Sequence, residues 1–252
     1  MKTHISHLIA LFLCILALTG CSCKHTWAEA DCVTARTCTS CHATEGEPLG
    51  HTPGQPLETP DAVSAILLTE QYCTVCGEQL TSETVPLSTM IQDSLFLFTP
   101  TEFVERFTAI ATAQAEDFSC ELVPGDTGLV AIVSCNETPS LVQFFHADTT
   151  PLTPGETDAP VVWCMSLITF GQGDPALRAS FFMACDPALD ADTAFETDIH
   201  LSTAFLNASA SGESFGYHQN NGLLYETSFV PEGALGQADA MDLINIYASD
   251  FR

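Results

Sequence analysis

The chain has 252 residues, 46% of them hydrophobic, which is enough apolar surface to bury a core and argues against a disordered polymer. Its 32 acidic residues against 6 basic ones give a formal net charge of -26 at pH 7. This charge repels nucleic-acid phosphates and anionic lipid headgroups, so we expect no nucleic-acid partner and no membrane attachment through basic patches.

Residues 1–20 have the layout of a secretory signal peptide. They open with Lys2, run apolar from residue 8 to residue 18 and close on small residues. The apolar run is too short to span a bilayer comfortably. We therefore predict that this segment is a cleaved signal rather than a membrane helix.

The residues Leu18-Thr19-Gly20-Cys21 resemble the lipobox of bacterial lipoproteins. The resemblance implies cleavage before Cys21 and attachment of acyl chains, such as palmitate, to that cysteine. Two or more chains turn marginal membrane binding into stable anchoring. We expect a protein anchored by lipid to the extracellular face of the cell membrane, with an ordinary secretory signal as the alternative.

The cysteines fall into two populations. Of the 12 in the chain, Cys14 lies in the predicted signal and Cys21 carries the lipid, which leaves 10. Six lie near the front: Cys23, Cys32, Cys38, Cys41, Cys73 and Cys76. Four lie in or beside apolar runs, where buried thiols compete evenly with one or two disulfides: Cys120, Cys135, Cys164 and Cys185.

Two C-x-x-C knuckles, at residues 38–41 and 73–76, hold four of the six front cysteines, and the related segments around them, 37–45 and 72–80, form a weak internal repeat of two copies. Such a turn points two thiolates at one ion, and Zn²⁺ then takes two more Cys or His ligands in a tetrahedron. The predicted ligands are His25, Cys32, Cys38 and Cys41 in a Cys3His set, and His51 with Cys73 and Cys76 in a second, incomplete set. We therefore expect zinc.

Residues 23–86 resemble a short, zinc-ribbon-like cysteine and histidine repeat found on surface proteins of Gram-positive gut bacteria. The motifs that carry the likeness are Cys23, His25 and Trp27, the first knuckle, the run from residue 45 to His51-Thr52-Pro53-Gly54, and the second knuckle with its flanks. The resemblance implies a small metal-binding module rather than an activity. In that repeat a Cys usually stands between the His and the C-x-x-C, and the second copy here has none.

Other chemistries for the knuckles stay open. Residues 38–42 spell C-x-x-C-H, the attachment motif of c-type haem, which would make the protein an electron carrier. Against haem, Cys23, His25 and Cys32 would have no role, and Gly77 stands where the second copy would need its His. Disulfides are natural outside the cell, and one four-Cys site built from both knuckles is a further alternative.

The elements after the first knuckle follow from turn and periodicity signals. Residues 46–61, rich in Gly, Pro and Glu, predict a linker, and residues 65–72 and 79–87 predict a hairpin around the second knuckle. Thr99-Pro100-Thr101-Glu102 has the pattern of a capping box with Pro at the first helical position, so a helix should span residues 100–115. Its apolar face is Phe103, Phe107, Ile110 and Ala111.

The C-terminal part of the chain, residues 88–252, is called the body. After its first helix, it is predicted to contain further strands and helices. Short apolar runs at 118–123, 128–135, 141–146 and 161–170 predict an antiparallel meander. Helices should follow at 175–185 and 192–206, the second capped by Asp190 or Asp192, with Phe195, Ile199 and Phe205 as its apolar members. Asn221-Gly222 predicts a hairpin between 214–219 and 223–230. The order indicates an α+β fold with an antiparallel sheet.

The body offers little sign of catalysis. It has no H-E-x-x-H or phosphate-binding glycine loop. Residues 212–216 spell G-x-S-x-G, but they follow the predicted helix at 192–206 and run into the predicted strand at 214–219, whereas a nucleophile elbow needs a strand-to-helix turn. Its acidic cluster is better explained by helix capping than by Ca²⁺: Asp186, Asp190, Asp192 and Glu196. Three histidines stand alone in sequence: His146, His200 and His218. Residues 95–230 loosely resemble the C-terminal domains of uncharacterised lipoproteins from the same kind of bacteria, which carry no known catalytic residues.

Three regions follow: a signal at 1–20, a zinc-binding region with linker at 21–87 and an α+β domain at 88–252. We expect a membrane-anchored extracellular lipoprotein with a structural zinc head and a non-catalytic body that binds a partner protein or a small ligand. The alternative is a c-type haem electron-transfer lipoprotein using Cys38, Cys41 and His42.

Overall fold

The structure is a computed structural model that describes residues 23–114, 117–125, 128–146, 162–171, 173–237 and 239–248. The predicted signal and the predicted lipidation site, Cys21, lie outside the described residues. The chain divides into two compact units. The first contains the described residues through Pro56 together with Glu70–Ser82, and the second contains Leu57–Thr69 and the chain from Glu83 onward. The predicted boundary after residue 87 falls within the second unit.

The first unit has little regular structure. Strands β1 (Trp27–Ala28), β2 (Arg36–Cys38) and β3 (Thr44–Glu45) form a three-stranded antiparallel sheet. The Arg36 guanidinium lies 5.4 Å from the Trp27 ring centroid and 3.5 Å from a Glu45 carboxylate oxygen. These exposed contacts are each worth at most about 1 kcal/mol. They cannot by themselves hold the unit together.

A second small sheet has the order β4-β5-β6 and consists of β4 (Leu57–Asp61), β5 (Ile66–Tyr72) and β6 (Gln79–Pro86). The hairpin predicted around the second knuckle is therefore present. β4 lies in the segment predicted as a linker, which is a correction. Its Pro60 obscures the strand pattern, but β4 is an edge strand, where a proline is tolerated because one side of the strand makes no ladder bonds. The next two strands, β7 (Ile91–Gln92) and β8 (Leu95–Phe96), pair with each other as a short antiparallel hairpin.

The helix α1 (Pro100–Gln114) begins as the sequence predicts. The Thr99 backbone N–H donates to Glu102 Oε2 at 2.8 Å, and the Glu102 N–H donates to Thr99 Oγ1 at 3.2 Å. This reciprocal pair is a capping box, which satisfies two donors that the first turn leaves unpaired. Phe103 and Phe107 are fully buried, with ring centroids 5.5 Å apart.

The second unit is built on a seven-stranded sheet with the order β13-β14-β15-β12-β11-β10-β9. Its strands are β9 (Phe118–Gly125), β10 (Gly128–Cys135), β11 (Thr138–His146), β12 (Val162–Phe170), β13 (Gly216–Asn220), β14 (Leu223–Val230) and β15 (Met241–Tyr247). All neighbours are antiparallel, and β9 to β12 form the predicted meander. The α+β fold is confirmed. β15, which joins the two halves of the sheet, was not predicted.

Two further helices, α2 (Pro175–Cys185) and α3 (Ala191–Ala210), begin at aspartate caps. Asp174 accepts from the Ala176 and Leu177 N–H groups, and Asp190 forms a capping box with Thr193. The capping explanation for Asp190 therefore agrees with the structure. No helix in the described ranges is long and apolar enough to cross a membrane.

The predicted apolar face of α3 is wrong at two of its three members, while the third, Phe205, is half-buried. Phe195 and Ile199 are each 49% exposed, whereas Ala194, Asp198 and Leu201 are buried. The buried stripe includes Asp198 because this carboxylate pairs with Arg178 of α2 at 2.6 Å. A buried ion pair replaces an apolar contact, so a search for apolar residues at helical spacing selects the wrong side of the helix.

Burial perturbs three carboxyl groups of the second unit. Loss of hydration raises the pKa of Asp186, Asp198 and Asp242 above the ordinary value of 3.8, and in Asp198 and Asp242 the nearby Arg178 offsets part of the rise. Near the raised values the folded chain holds protons that the unfolded chain has released. Stability must then rise as pH falls.

We expect the unfolding free energy of the second unit to increase as the pH is lowered from about 7 through the raised pKa values towards 3.8. Relief of acidic self-repulsion acts in the same direction. Denaturant titrations followed by hydrogen exchange of the α2 and α3 segments measure the effect. Asp186→Asn should flatten the profile. A stability maximum at neutral pH would contradict the assignment.

Candidate metal centres

Eight cysteine and histidine side chains of the first unit converge in two groups. Site I is Cys23, His25, Cys38 and Cys41, and site II is Cys32, His51, Cys73 and Cys76. Within each group the candidate ligand atoms all lie within 4.8 Å of one another. The structure therefore shows two Cys3His groups that could each hold one metal ion.

All seven residues predicted as metal ligands take part, but their grouping differs from the prediction. Cys32, expected beside His25, belongs to site II, and Cys23 takes its place in site I. Cys23 is the ligand that sequence reasoning missed. The signal that could have found it is the second knuckle's lack of a third cysteine, because a front cysteine had to serve it and another had to remain for the first.

The first knuckle is a tight turn held by backbone hydrogen bonds. The Cys38 N–H donates to the Ala43 carbonyl at 2.8 Å, and the His42 N–H donates back to the Cys38 carbonyl at 2.9 Å. The Thr39 N–H and Oγ1 both donate to the Thr26 carbonyl, at 2.8 Å and 3.1 Å. Thr26 directly follows His25, so these bonds bring the histidine to the knuckle.

The second knuckle repeats this arrangement. The Cys73 N–H donates to the Glu78 carbonyl at 2.8 Å, and the Gly77 N–H donates to the Cys73 carbonyl at 2.9 Å. Thr74 donates its N–H and Oγ1 to the carbonyl of Thr52, at 2.9 Å and 3.2 Å, and Thr52 directly follows His51. The two sites are therefore structural copies of one His-Thr and Cys-Thr-x-Cys unit, which supports the internal repeat seen in the sequence.

Two ligand-atom distances in each group match the edges of a tetrahedron around a zinc ion. Zinc bonds of about 2.3 Å to sulfur and about 2.0 Å to nitrogen give tetrahedral edges of about 3.8 Å between two sulfurs and about 3.5 Å between sulfur and nitrogen. The observed Sγ–Sγ distances are 3.8 Å for Cys23 and Cys38 and 3.7 Å for Cys32 and Cys73. The Sγ–Nδ1 distances are 3.4 Å for Cys41 and His25 and 3.5 Å for Cys76 and His51. A disulfide needs about 2.05 Å.

The first cysteine of each knuckle is prepared as a thiolate. Backbone N–H groups of Cys41 and then Ser40 lower the pKa of Cys38 to about 5. The Cys76 N–H, acting against burial, lowers the pKa of Cys73 to about 5. These amides supply positive charge to the sulfur before any ion arrives, which suits a metal ligand because only the thiolate binds zinc.

The cysteines that come from outside the knuckles behave oppositely. Interaction with the Cys41 side chain, followed by burial, raises the pKa of Cys23 to about 12. Burial, followed by interaction with Cys76, raises the pKa of Cys32 to about 12. Without an ion, the thiols of Cys23 and Cys32 therefore remain protonated. Metal binding must displace these protons.

Each histidine uses Nδ1 towards its site and a different support behind it. In site II, the opposite ring nitrogen of His51, Nε2, lies 3.5 Å from Glu78 Oε2. A carboxylate on the second nitrogen fixes the tautomer and the ring orientation of a metal-binding histidine. In site I, the His25 ring stacks on Trp27 with centroids 5.0 Å apart. Both rings are therefore oriented by a neighbouring side chain.

His42, the residue that a haem would need, is not part of site I. It is exposed and has a positive φ of 58°, and Gly77 takes the same place in the second knuckle with φ of 75°. The position demands left-handed backbone, which glycine adopts without the steric cost that other residues bear. His42 thus fills a turn position.

We expect His42→Gly to keep both sites and to stabilise the first unit by about 1 kcal/mol, because glycine removes the left-handed penalty. Gly77→Ala should cost about the same amount for the same reason, since no atom lies within 4 Å of an added Cβ. Metal content and chelator resistance of the two variants measure this. If His42→Gly instead abolished a haem absorption band, His42 would be an axial ligand.

The four cysteines and three histidines of the body lie in the second unit. The ten described cysteines are all unpaired, and the body residues Cys135, Cys164 and Cys185 are buried thiols. His200 and His218, which stand alone in sequence, lie together with ring centroids 5.3 Å apart.

Comparison of the chain with family models, with curated proteins and with solved structures found no match.

Proposed function

We propose that the protein is a membrane-anchored extracellular lipoprotein, with a structural two-zinc head and a body that binds a small ligand or a partner protein without catalysis. The observation that carries the zinc assignment is the pair of Cys3His groups with tetrahedral spacing. Protein atoms supply all four positions of each group, and a closed four-ligand set is typical of structural rather than catalytic zinc.

The composition of the head's interior supports a structural role. Within the described part of the first unit, the buried residues are Cys32, Cys38 and Cys73. All three are candidate ligands. A unit of this size without an apolar core depends on a metal or disulfides to fold, and its sulfurs lie too far apart for disulfides.

The donor set favours zinc over haem. Thiolate-rich tetrahedral sites select zinc among the common metals. Covalent haem would use both knuckle thiols and His42 as an axial ligand. Cys38 and Cys41 instead face Cys23 and His25, while His42 stays outside the group.

The lipid anchor is proposed from the lipobox-like residues 18–21. Cys21 precedes Cys23, the first ligand of site I, by two residues. An acylated Cys21 would hold site I next to the membrane surface. The acidic charge disfavours attachment to anionic lipids, so membrane residence would need a lipid or an inserted segment, and the lipobox-like residues favour the lipid.

The test uses the full chain, produced in a bacterial host that can attach both lipid and haem. We expect two zinc ions per chain by elemental analysis and no Soret band. A fatty-acid label should be lost in Cys21→Ser and kept in the matched control Cys14→Ser. Iron with a Soret band would establish the haem alternative, and an unlabelled protein would refute the anchor.

A further inference from the structure

The seven-stranded sheet has a helix-facing side and an outer side. Phe182 of α2 packs edge-on against Tyr225, and Phe103 of α1 against Phe144, each with centroids 5.5 Å apart. Side chains alternate along a strand, so Glu226, which follows Tyr225, belongs to the outer side. The register extends that side across the neighbouring strands, pairing Glu226 with Tyr217 and with Asn245.

The outer side contains a cleft of about 610 Å³. Its lining residues are Tyr217, His218, Gln219, Leu224, Glu226 and Tyr247. All come from β13, β14 and β15, so the cleft lies on three neighbouring strands at one edge of the sheet. Its volume is within the range of small-molecule sites.

Glu226 is held in place by two neutral donors. The Asn245 Nδ2 amide donates to Glu226 Oε1 at 2.7 Å, and the Tyr247 hydroxyl donates to the same oxygen at 3.2 Å. Both groups orient the carboxylate without neutralising its charge. The Tyr217 hydroxyl also interacts with Glu226, and burial, followed by the Glu226 charge and this hydrogen bond, raises the pKa of Tyr217. Because a carboxylate offers about four acceptor positions, Glu226 keeps acceptor capacity for a ligand.

Two aromatic rings stand beside this carboxylate. Tyr217 is 53% exposed and lies directly across the strand pair from Glu226. Tyr247 packs near Trp163, with ring centroids 5.9 Å apart. Aromatic faces attract cations through their quadrupole, and a carboxylate adds direct charge attraction.

The two arginines in the described part of the second unit make their contacts outside the cleft. Arg106 donates to the carbonyls of Val63, Met183 and Ala184, and Arg178 pairs with Asp198. His218 contributes to the cleft lining, but it pairs with Tyr225 and its ring lies 5.3 Å from that of His200 on α3, which places the ring on the helix-facing side. Burial, together with His200, lowers the pKa of His218 and favours the neutral ring at pH 7. The described charge facing a ligand in this cleft is therefore negative.

We propose that this cleft binds a small organic cation, an alkylammonium group, with Glu226 as counter-ion and Tyr217 and Tyr247 as aromatic walls. The proposal names the ligand class of the binding body and rests on that part of the proposed function. An anionic ligand would be repelled by Glu226 and by the net charge of -26, and a neutral one could gain only a hydrogen bond by donating to Glu226, without any charge attraction.

The test is calorimetric titration of the full chain with choline and with 3,3-dimethylbutan-1-ol, which has the same shape but no charge. We expect saturable binding of choline and a loss of affinity of about tenfold or more for the alcohol. Methyl glucoside, a neutral sugar, is titrated as a further comparison. The proposal would be overturned by equal affinity for choline and the alcohol, by no saturable choline binding, or by binding of the sugar alone.

Two matched variants show whether choline binding depends on the carboxylate in the cleft or on the overall negative charge. Glu226→Gln should weaken choline binding by about tenfold or more, whereas Glu121→Gln should leave it unchanged. Glu121 lies on β9 at the other edge of the sheet, and strand register places it on the same outer side. Both changes remove one negative charge, so an equal loss in both would indicate mere long-range attraction and overturn the site.

The outcome is separable from that of the zinc and lipid proposals. Zinc content and the fatty-acid label are measured on the same preparations. Choline binding by a zinc-free or unlabelled protein would keep the cleft and refute the head or the anchor. Loss of choline selectivity with two zinc ions present would refute the cleft alone.

Discussion

Replacing Cys32 by serine should remove one of two bound metal ions and release the second knuckle, while the first knuckle stays folded. Cys32 is separated from Cys73 by 41 positions in sequence but lies 3.7 Å from it, sulfur to sulfur. Without this thiolate, site II retains three ligands. Metal-binding free energy of structural zinc, about 10 to 16 kcal/mol in small modules, is folding free energy for the segment it closes.

The measurement combines zinc stoichiometry with hydrogen exchange. In Cys32→Ser, amides around residues 73–78 should lose protection, and those around residues 38–43 should keep it. Cys23→Ser should give the opposite pattern, because Cys23 belongs to site I. Ser40→Ala alters an exposed knuckle side chain and should retain both ions. If Cys32→Ser released the first knuckle instead, the ligand grouping expected from sequence order would be right.

Sequence reasoning succeeds where the determinants are local. The capping box of α1, the aspartate cap of α3 and the Asn221-Gly222 turn each involve residues within about four positions, and all three agree with the structure. The two knuckles are equally local, and each C-x-x-C turn can be recognised without knowledge of the rest of the chain.

Apart from the edge strand β4, whose proline hides it locally, the failures involve long-range choices. Nothing within residues 23–41 states that Cys32 must leave the His25 neighbourhood for the other site, since this depends on where residues 51 and 73 lie. β15 was missed because Met241–Tyr247 gains its partners β12 and β14 only when the sheet is assembled. The buried side of α3 is likewise set by a charge on another helix rather than by its own apolar pattern.

The guanidinium of Arg178 is the charge that sets the buried side of α3. Arg178→Met should lower the unfolding free energy of the second unit by about 3 to 5 kcal/mol. Arg178 Nη2 lies 2.6 Å from Asp198 Oδ1, and the two side chains are only 15% and 12% exposed. Removing the guanidinium leaves Asp198 buried without its counter-charge, close to Asp242, whose charge already opposes ionisation of Asp198. Denaturant unfolding of the body at neutral pH measures the loss.

The double variant Arg178→Met with Asp198→Leu separates an orphaned charge from a lost attraction. It should be far more stable than Arg178→Met, because apolar side chains of similar volume can replace a buried ion pair at little net cost. Acidification should also rescue Arg178→Met, since protonation removes the uncompensated charge on Asp198 and the pKa of this group is already raised by burial. A loss below about 1 kcal/mol in the single variant would instead mean that water screens the pair as it does at a surface.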